Sequence, residues 1–397
     1  MSSFRFRSPI IRRAFGVMAA ALVLAVTSCA AEPDAAPSIT PSSAPSRTHT
    51  PSPAVTPSPT PTPQSVADRV AAMSIRDRLA SLLILHSAGT DPAAMRTFVD
   101  AYRPGGLIFM GDNVGAGITD VTAITDAVSE PVPLILAIDE EGGDVARLPE
   151  DVLPAGQDLA QAPVQNTTDA FSQRAKLLHE AGLNTNFGIV ADITADTGSF
   201  IFSRVLGTDP VSASDRVAAA VRAEASAGVL STLKHFPGHG AAPGDSHSSL
   251  PRTDLDFARW QQAESRPFRA GIDAGAEVVM LGHLVYSSVD ALPASLSPRW
   301  HDILRDELGF DGLIVSDDLG MLESSGDPAY ADRVTNAVAA LASGTTMLVI
   351  VADGPHPISP AALLDGLEAA VADGRLPLET VNSAAGLALA QRLSLAD

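Results

Sequence analysis

Apolar residues recur along this chain in short runs that end on polar tips. Eight such runs stand out, at residues 81–86, 106–113, 133–141, 183–192, 229–235, 278–283, 312–318 and 345–353. Each is followed by a stretch with the spacing of an amphipathic helix, as at 170–181, 214–227, 255–274, 297–308 and 329–343. Ser297-Pro298 supplies an N-cap followed by Pro at the first helical position. Gly182, Gly228, Gly275, Gly309 and Gly344 stand where a helix needs a left-handed residue to stop. Eight strand-then-helix units predict an α/β fold, a (β/α)8 barrel of the TIM type in a single catalytic domain, with the Ala-rich helical stretch after Pro360 completing the outer ring.

The pattern breaks at the N-terminus. Residues 1–28 carry Arg5, Arg7, Arg12 and Arg13, no acid, and an apolar run over 14–26 too short to span a bilayer, which reads as a secretory signal. The run ends at Cys29, the one cysteine of the chain, in a setting that resembles the lipobox of bacterial lipoproteins, where the Cys is lipidated and becomes the new N-terminus. A single cysteine allows no disulfide framework. Residues 29–64 are rich in Pro, Ser and Thr, a composition that cannot bury enough apolar surface to offset its ordering entropy, so they read as a tether, with the barrel over 65–397. Setting the four leader Arg aside leaves 22 basic against 46 acidic residues, or −24. That balance argues against nucleic acid and against a polybasic contact with lipid, so the membrane partner is expected to be met through the lipid anchor alone.

Six of the eight strand tips are polar: Asp112-Asn113, Asp139-Glu140-Glu141, Asp192, Lys234-His235, His283 and Asp317-Asp318. In a barrel these tips surround the active site, and so many hydrogen-bonding groups suit a polyhydroxylated ligand. Asp192 taken alone reads equally well as an N-cap. The richest stretch is 234–251, in which three His, Lys234 and Asp245 are set among Gly and Pro that forbid a regular helix. Asp245-x-His247 places a carboxylate two residues from an imidazole that could give and take a proton. His235, His239, Asp245 and His247 are also possible zinc donors, but Pro237 and Gly238 interrupt the His pair and deny it the helical face that would let both share one ion. No metal and no cofactor are expected.

Lys234-His-Phe-Pro-Gly-His-Gly, Asp245-Ser-His247, Asp139-Glu-Glu-Gly-Gly143, Gly105-Gly-Leu-Ile-Phe109 and Val315-Ser-Asp317-Asp318-Leu-Gly-Met321 together resemble glycoside hydrolase family 3, and within it the NagZ-like branch of β-N-acetylglucosaminidases. The resemblance implies Asp317 as nucleophile and His247, paired with Asp245, as acid/base. It implies sugar binding by Asp139, Arg204, Lys234 and His235, with His283 and Met321 joining the set. The implied activity is retaining, exo-acting removal of terminal GlcNAc from cell-wall muropeptides by an exported monomer, lipid-anchored to the outer face of the cell membrane. Alternatives are a β-glucosidase, a glycoside phosphorylase, or a wall-binding lipoprotein without catalysis. The sequence departs from the family pattern at Asp144, where an Arg is usual, at Ala241, and at Thr346, which stands where the last strand usually carries an Asp.

Overall fold

The computed structural model describes residues 63–396. The leader, Cys29 and nearly all of the expected tether lie outside the described residues. Ten strands form among the described residues, β1 Leu83–Leu85, β2 Gly106–Phe109, β3 Ile135–Ile138, β4 Thr185–Val190, β5 Leu230–Phe236, β6 Arg252–Thr253, β7 Val278–Leu281, β8 Val285–Tyr286, β9 Leu313–Ser316 and β10 Leu348–Ile350. Eight of them pair in parallel in the order β10-β1-β2-β3-β4-β5-β7-β9. A parallel bridge between Val315 and Met347 brings β9 back to β10. The result is the expected eight-stranded (β/α)8 barrel, one strand for each apolar run.

The eight barrel strands are buried along their whole length, which is why they read as continuous apolar runs rather than alternating ones. The crossover helices include Pro92–Tyr102, Val164–Glu180, Pro210–Ala225 and Arg333–Ser343. All five glycines expected to end helices have φ between 71° and 114°. Ser297 caps its helix through Oγ, which accepts from the Trp300 N–H at 3.2 Å. Two details differ from the sequence pattern. The helix expected over 255–274 is broken at Ala263 into Phe257–Gln262 and Ser265–Asp273. The second is that β6 and β8 pair with each other outside the barrel, tying the far end of the 234–251 stretch to the segment after β7. Strands of two residues are too short to leave a periodic signal.

Beneath the tip of β5 lies an aromatic cluster. Phe236 stands edge-on to Trp260, Phe268 and Trp300, with ring centroids 5.9, 5.3 and 5.7 Å away. All four are fully buried, and each is worth about 1.5–3 kcal/mol of burial. The cluster also holds backbone, because Trp260 Nε1 donates to the Pro237 carbonyl at 2.8 Å and the Tyr286 hydroxyl donates to that of Gly238. The Gly/Pro turn after β5 is thus seated on the core.

Candidate active site

The C-terminal strand ends surround a cavity of about 330 Å³ whose wall includes Asp139, Glu141, Arg204, Lys234, His235, His247, Asp317 and Met321. Period-2 alternation in the tip of β3 turns Asp139 and Glu141 to this cavity and Glu140 away from it. Lys234, at the end of β5, donates through Nζ to Asp139 Oδ1 at 2.8 Å and lies 2.6 Å from Glu141 Oε1. Arg204 grips both Glu141 oxygens, at 2.8 and 2.7 Å. Burial works to raise the Glu141 carboxyl, yet Lys234 and Arg204 hold it down to about 2. Glu140, on the other face, accepts from the N–H groups of Arg147 and Leu148, and burial pushes it up to about 7.

Asp192 is fully buried and serves no helix. Its carboxylate accepts from His235 Nδ1 at 2.8 Å, from the His235 N–H at 3.2 Å and from the His239 N–H at 2.6 Å. Because a carboxylate only accepts, Nδ1 of His235 carries the hydrogen and Nε2 is left on the other side of the ring, 3.4 Å from an Arg204 nitrogen. Asp192 therefore fixes the ring orientation of His235 and the start of the following loop together.

Asp317 follows β9. Its backbone N–H donates to Leu281 O at 3.0 Å, and its Oδ1 accepts from the Asp318 N–H at 2.8 Å. Burial works to raise its pKa, but His235, His283, Lys234 and that N–H leave it below the usual carboxylate range. Burial also lowers the pKa of the His283 ring, whereas, against burial, Asp139 and Glu141 raise that of Lys234. Asp318 turns to β10, where Oδ1 accepts from the Val351 N–H at 2.9 Å, and burial pushes it up to about 6. Two adjacent carboxyls are thereby driven apart, which is how acid and base roles become separable.

The 237–251 loop brings the Asp245 and His247 side chains together, with His247 Nδ1 2.7 Å from Asp245 Oδ1. The His247 ring is exposed yet lines the cavity. Burial works to raise Asp245, but the His247 backbone and ring N–H groups leave it lowered. Met321 forms part of the wall, from the turn after Asp317.

His283 stands apart from the other expected sugar-binding residues. It is absent from the cavity lining, and both ring nitrogens are occupied, Nδ1 by Ser295 Oγ at 2.7 Å and Nε2 by the Asp318 carbonyl at 2.9 Å. It braces the backbone beside Asp317 instead. Two of the four residues weighed as possible zinc donors are likewise engaged, His235 with Asp192 and His239 with Ser246. Among the described residues, the one group close enough to share an ion is His86, Asp112 and Asp353, where each imidazole nitrogen already faces a carboxylate, at 2.6 and 3.1 Å.

The departures lie off the cavity wall. Thr346 precedes β10 at the barrel's opposite end, where Oγ1 accepts from the Ile314 N–H at 3.2 Å. Ala241 ends the turn His239–Ala241. Asp144 is exposed and lines a neighbouring hollow with Gly142, Gly143 and Asp158. Sequence reasoning counted Glu141 and Asp192 among the polar tips without giving either a role in the site, and did not single out Arg147, which lines the cavity. The signal for Glu141 was available in its alternation with Asp139, whereas the buried roles of Asp192 depend on contacts distant in the chain.

The family model for the glycosyl hydrolase family 3 N-terminal domain matches residues 74–388. Beta-hexosaminidase LpqI of Mycobacterium tuberculosis is 34% identical over 347 residues, covering 81% of this chain and 84% of that protein. A beta-hexosaminidase of Stenotrophomonas maltophilia is 35% identical over 268 residues, covering 64% of this chain and 79% of that protein. Among solved structures, M. tuberculosis LpqI has a TM-score of 0.72 at 30% identity, covering 81% of this chain and 95% of that one. A glycoside hydrolase family 3 beta-N-acetylglucosaminidase from a Paenibacillus species has a TM-score of 0.73 at 30% identity over 82% of this chain, which spans 63% of that longer protein. With the family match running through every barrel strand and Asp317, Lys234 and His247 gathered at one cavity, the chain belongs to glycoside hydrolase family 3 and is a glycoside hydrolase.

Proposed function

We propose that the protein is an exo-acting, retaining β-N-acetylhexosaminidase that works through a covalent glycosyl-Asp317 intermediate. The observation that carries this reading is a half-buried Asp317 with its carboxyl held below the usual range, in a cavity also lined by a His247 ring paired with Asp245. In the first step an Asp317 oxygen attacks the anomeric carbon while His247, protonated, gives its proton to the leaving oxygen. In the second, neutral His247 takes a proton from water as that water displaces Asp317, and the sugar leaves with its original configuration. Asp245 steadies the positive form of the ring, before the first step and after the second. Asp139, Arg204, Lys234 and His235 are the groups proposed to hold the sugar hydroxyls.

A terminal GlcNAc on a cell-wall muropeptide is the proposed substrate. The beta-hexosaminidase names of the relatives support the sugar, and the leader with Cys29 supports an exported, lipid-anchored enzyme that faces the wall. Treatment with a 2-acetamido-2-deoxy-5-fluoro glycoside followed by peptide mass spectrometry tests the mechanism: the expected result is one covalent sugar on the peptide containing Asp317. A label elsewhere, or none, overturns it. A histidine acid/base leaves room for an anionic acceptor, so a sugar phosphate formed in the presence of inorganic phosphate would convert the reading to that of a phosphorylase.

A further inference from the structure

Ser246 is unlike its neighbours. The side chains of Asp245 and His247 are 44% and 64% exposed, whereas Ser246 between them is 3% exposed. The turn they form is closed on itself, since the N–H groups of Ser248 and Ser249 and the Ser249 hydroxyl all donate to the Asp245 carbonyl. Among the described residues, one hydrogen bond joins residues 245–249 to the rest of the protein: Ser246 Oγ lies 3.0 Å from His239 Nε2.

His239 is well placed to be the fixed end of that bond. Its backbone N–H donates to Asp192, and its ring is wedged edge-on against Phe200 at 4.5 Å and His235 at 5.9 Å. Nδ1 is buried without a partner. A buried N–H left unmade costs more than an unused lone pair, so Nδ1 is bare and Nε2 carries the hydrogen that Ser246 Oγ accepts. Burial supports this neutral form by pushing the His239 ring down to about 4, against the pull of Asp192 and with that of His235. Phe200 reaches both ends of the arrangement, because its ring also stands edge-on to His247 at 6.5 Å.

We propose that His239, acting through Ser246, is a positioning residue that sets where His247 stands relative to Asp317. This deepens the reading above and rests on His247 being the proton donor. A turn held by one side-chain bond loses its aim when that bond goes, and a displacement of about 1 Å in a reacting group costs on the order of 10²-fold.

Leaving-group dependence separates this from a merely structural role, because an activated aryl oxide departs without a proton whereas an alkyl or sugar oxygen does not. In Ser246→Ala, kcat/KM for an alkyl β-GlcNAc or a GlcNAc disaccharide is expected to fall about 10- to 100-fold, while that for the dinitrophenyl glycoside stays within about twofold. His239→Phe, which keeps the ring and removes the N–H, should give the same split. The double variant should be no worse than either single one, since both break one bond, and Ser246→Thr should recover most of the loss. His247→Ala is the reference. If it is selective for poor leaving groups and Ser246→Ala is not, the positioning proposal fails. If His247→Ala loses equally on both substrates, the acid/base reading itself fails and this proposal with it. Should His239→Phe not fold, the Ser246→Ala split decides alone.

Discussion

Asp317 and Asp318 are adjacent in sequence and opposite in character, and the difference is made by what each faces. His235, His283, Lys234 and a backbone N–H hold the half-buried Asp317 carboxyl below the usual range, whereas Asp318 has the Val351 N–H as a side-chain partner and burial raises it to about 6. An amide serves Asp318's bond nearly as well, because its oxygen still accepts. Asp318→Asn is therefore expected to retain activity within about tenfold, while Asp317→Asn, deprived of its nucleophile, loses on the order of 10⁴-fold or more in kcat. Both are read by release of an aryl alcohol from the β-GlcNAc glycoside. Equal losses in the two variants would mean that the environments do not divide the roles. Asp317 could be picked out from its motif, but the sequence says nothing of why it ionises and its neighbour does not, because the deciding groups come from the ends of β5 and β10, 83 and 33 residues away in number. His283 illustrates the converse: a strand-tip histidine is an obvious sugar ligand until Ser295 and Asp318 are seen to occupy both of its nitrogens.

At the scale of elements, the turn after β5 is held from beneath. Trp260, in a helix that follows the acid/base loop, donates its indole N–H to Pro237 O. Trp260→Phe keeps the packing against Phe236 and Trp300 but strands a buried carbonyl, which costs about 1–3 kcal/mol. Urea unfolding is expected to show that loss, and KM to rise because Lys234 and His235 stand on the same strand end. An unchanged midpoint would mean that water replaces the indole. The sequence foretold the strands and the helix stops, since buried parallel strands and left-handed glycines leave local signals. It foretold neither the break at Ala263 nor the β6–β8 pair. Both lie beside Trp260 and Tyr286, whose hydrogen-bond partners are distant in the chain, which no local period encodes.

Over the whole molecule, buried carboxyls of two kinds set opposing responses to pH. Glu141 at about 2, with Asp192 and Asp317 also lowered, contributes stability that is present above about 4.5 and lost as pH falls. Glu140 at about 7, and Glu224 and Glu264 at about 8, are raised chiefly by burial. In these the folded chain holds protons that the unfolded chain has released, so the native state binds more protons and stability falls as pH rises from about 4.5 to 8. The overall excess of acid pushes the same way through self-repulsion. The unfolding free energy in urea is therefore expected to be greater at pH 5 than at pH 8. Glu224→Gln separates the local cause from the global one. Asn186 Nδ2, which donates to Glu224 Oε1 at 2.6 Å, finds the same acceptor in the amide, and the proton is no longer at stake. The variant should lose part of the slope between pH 5 and 8 while remaining near wild-type stability at pH 5. An identical slope would show that Glu224 does not hold its proton in the folded state. A stability that climbed from pH 6.5 to 8, above the window in which His239 and His301, lowered to about 4 by burial, oppose the trend, would contradict the assignment of all three raised carboxyls.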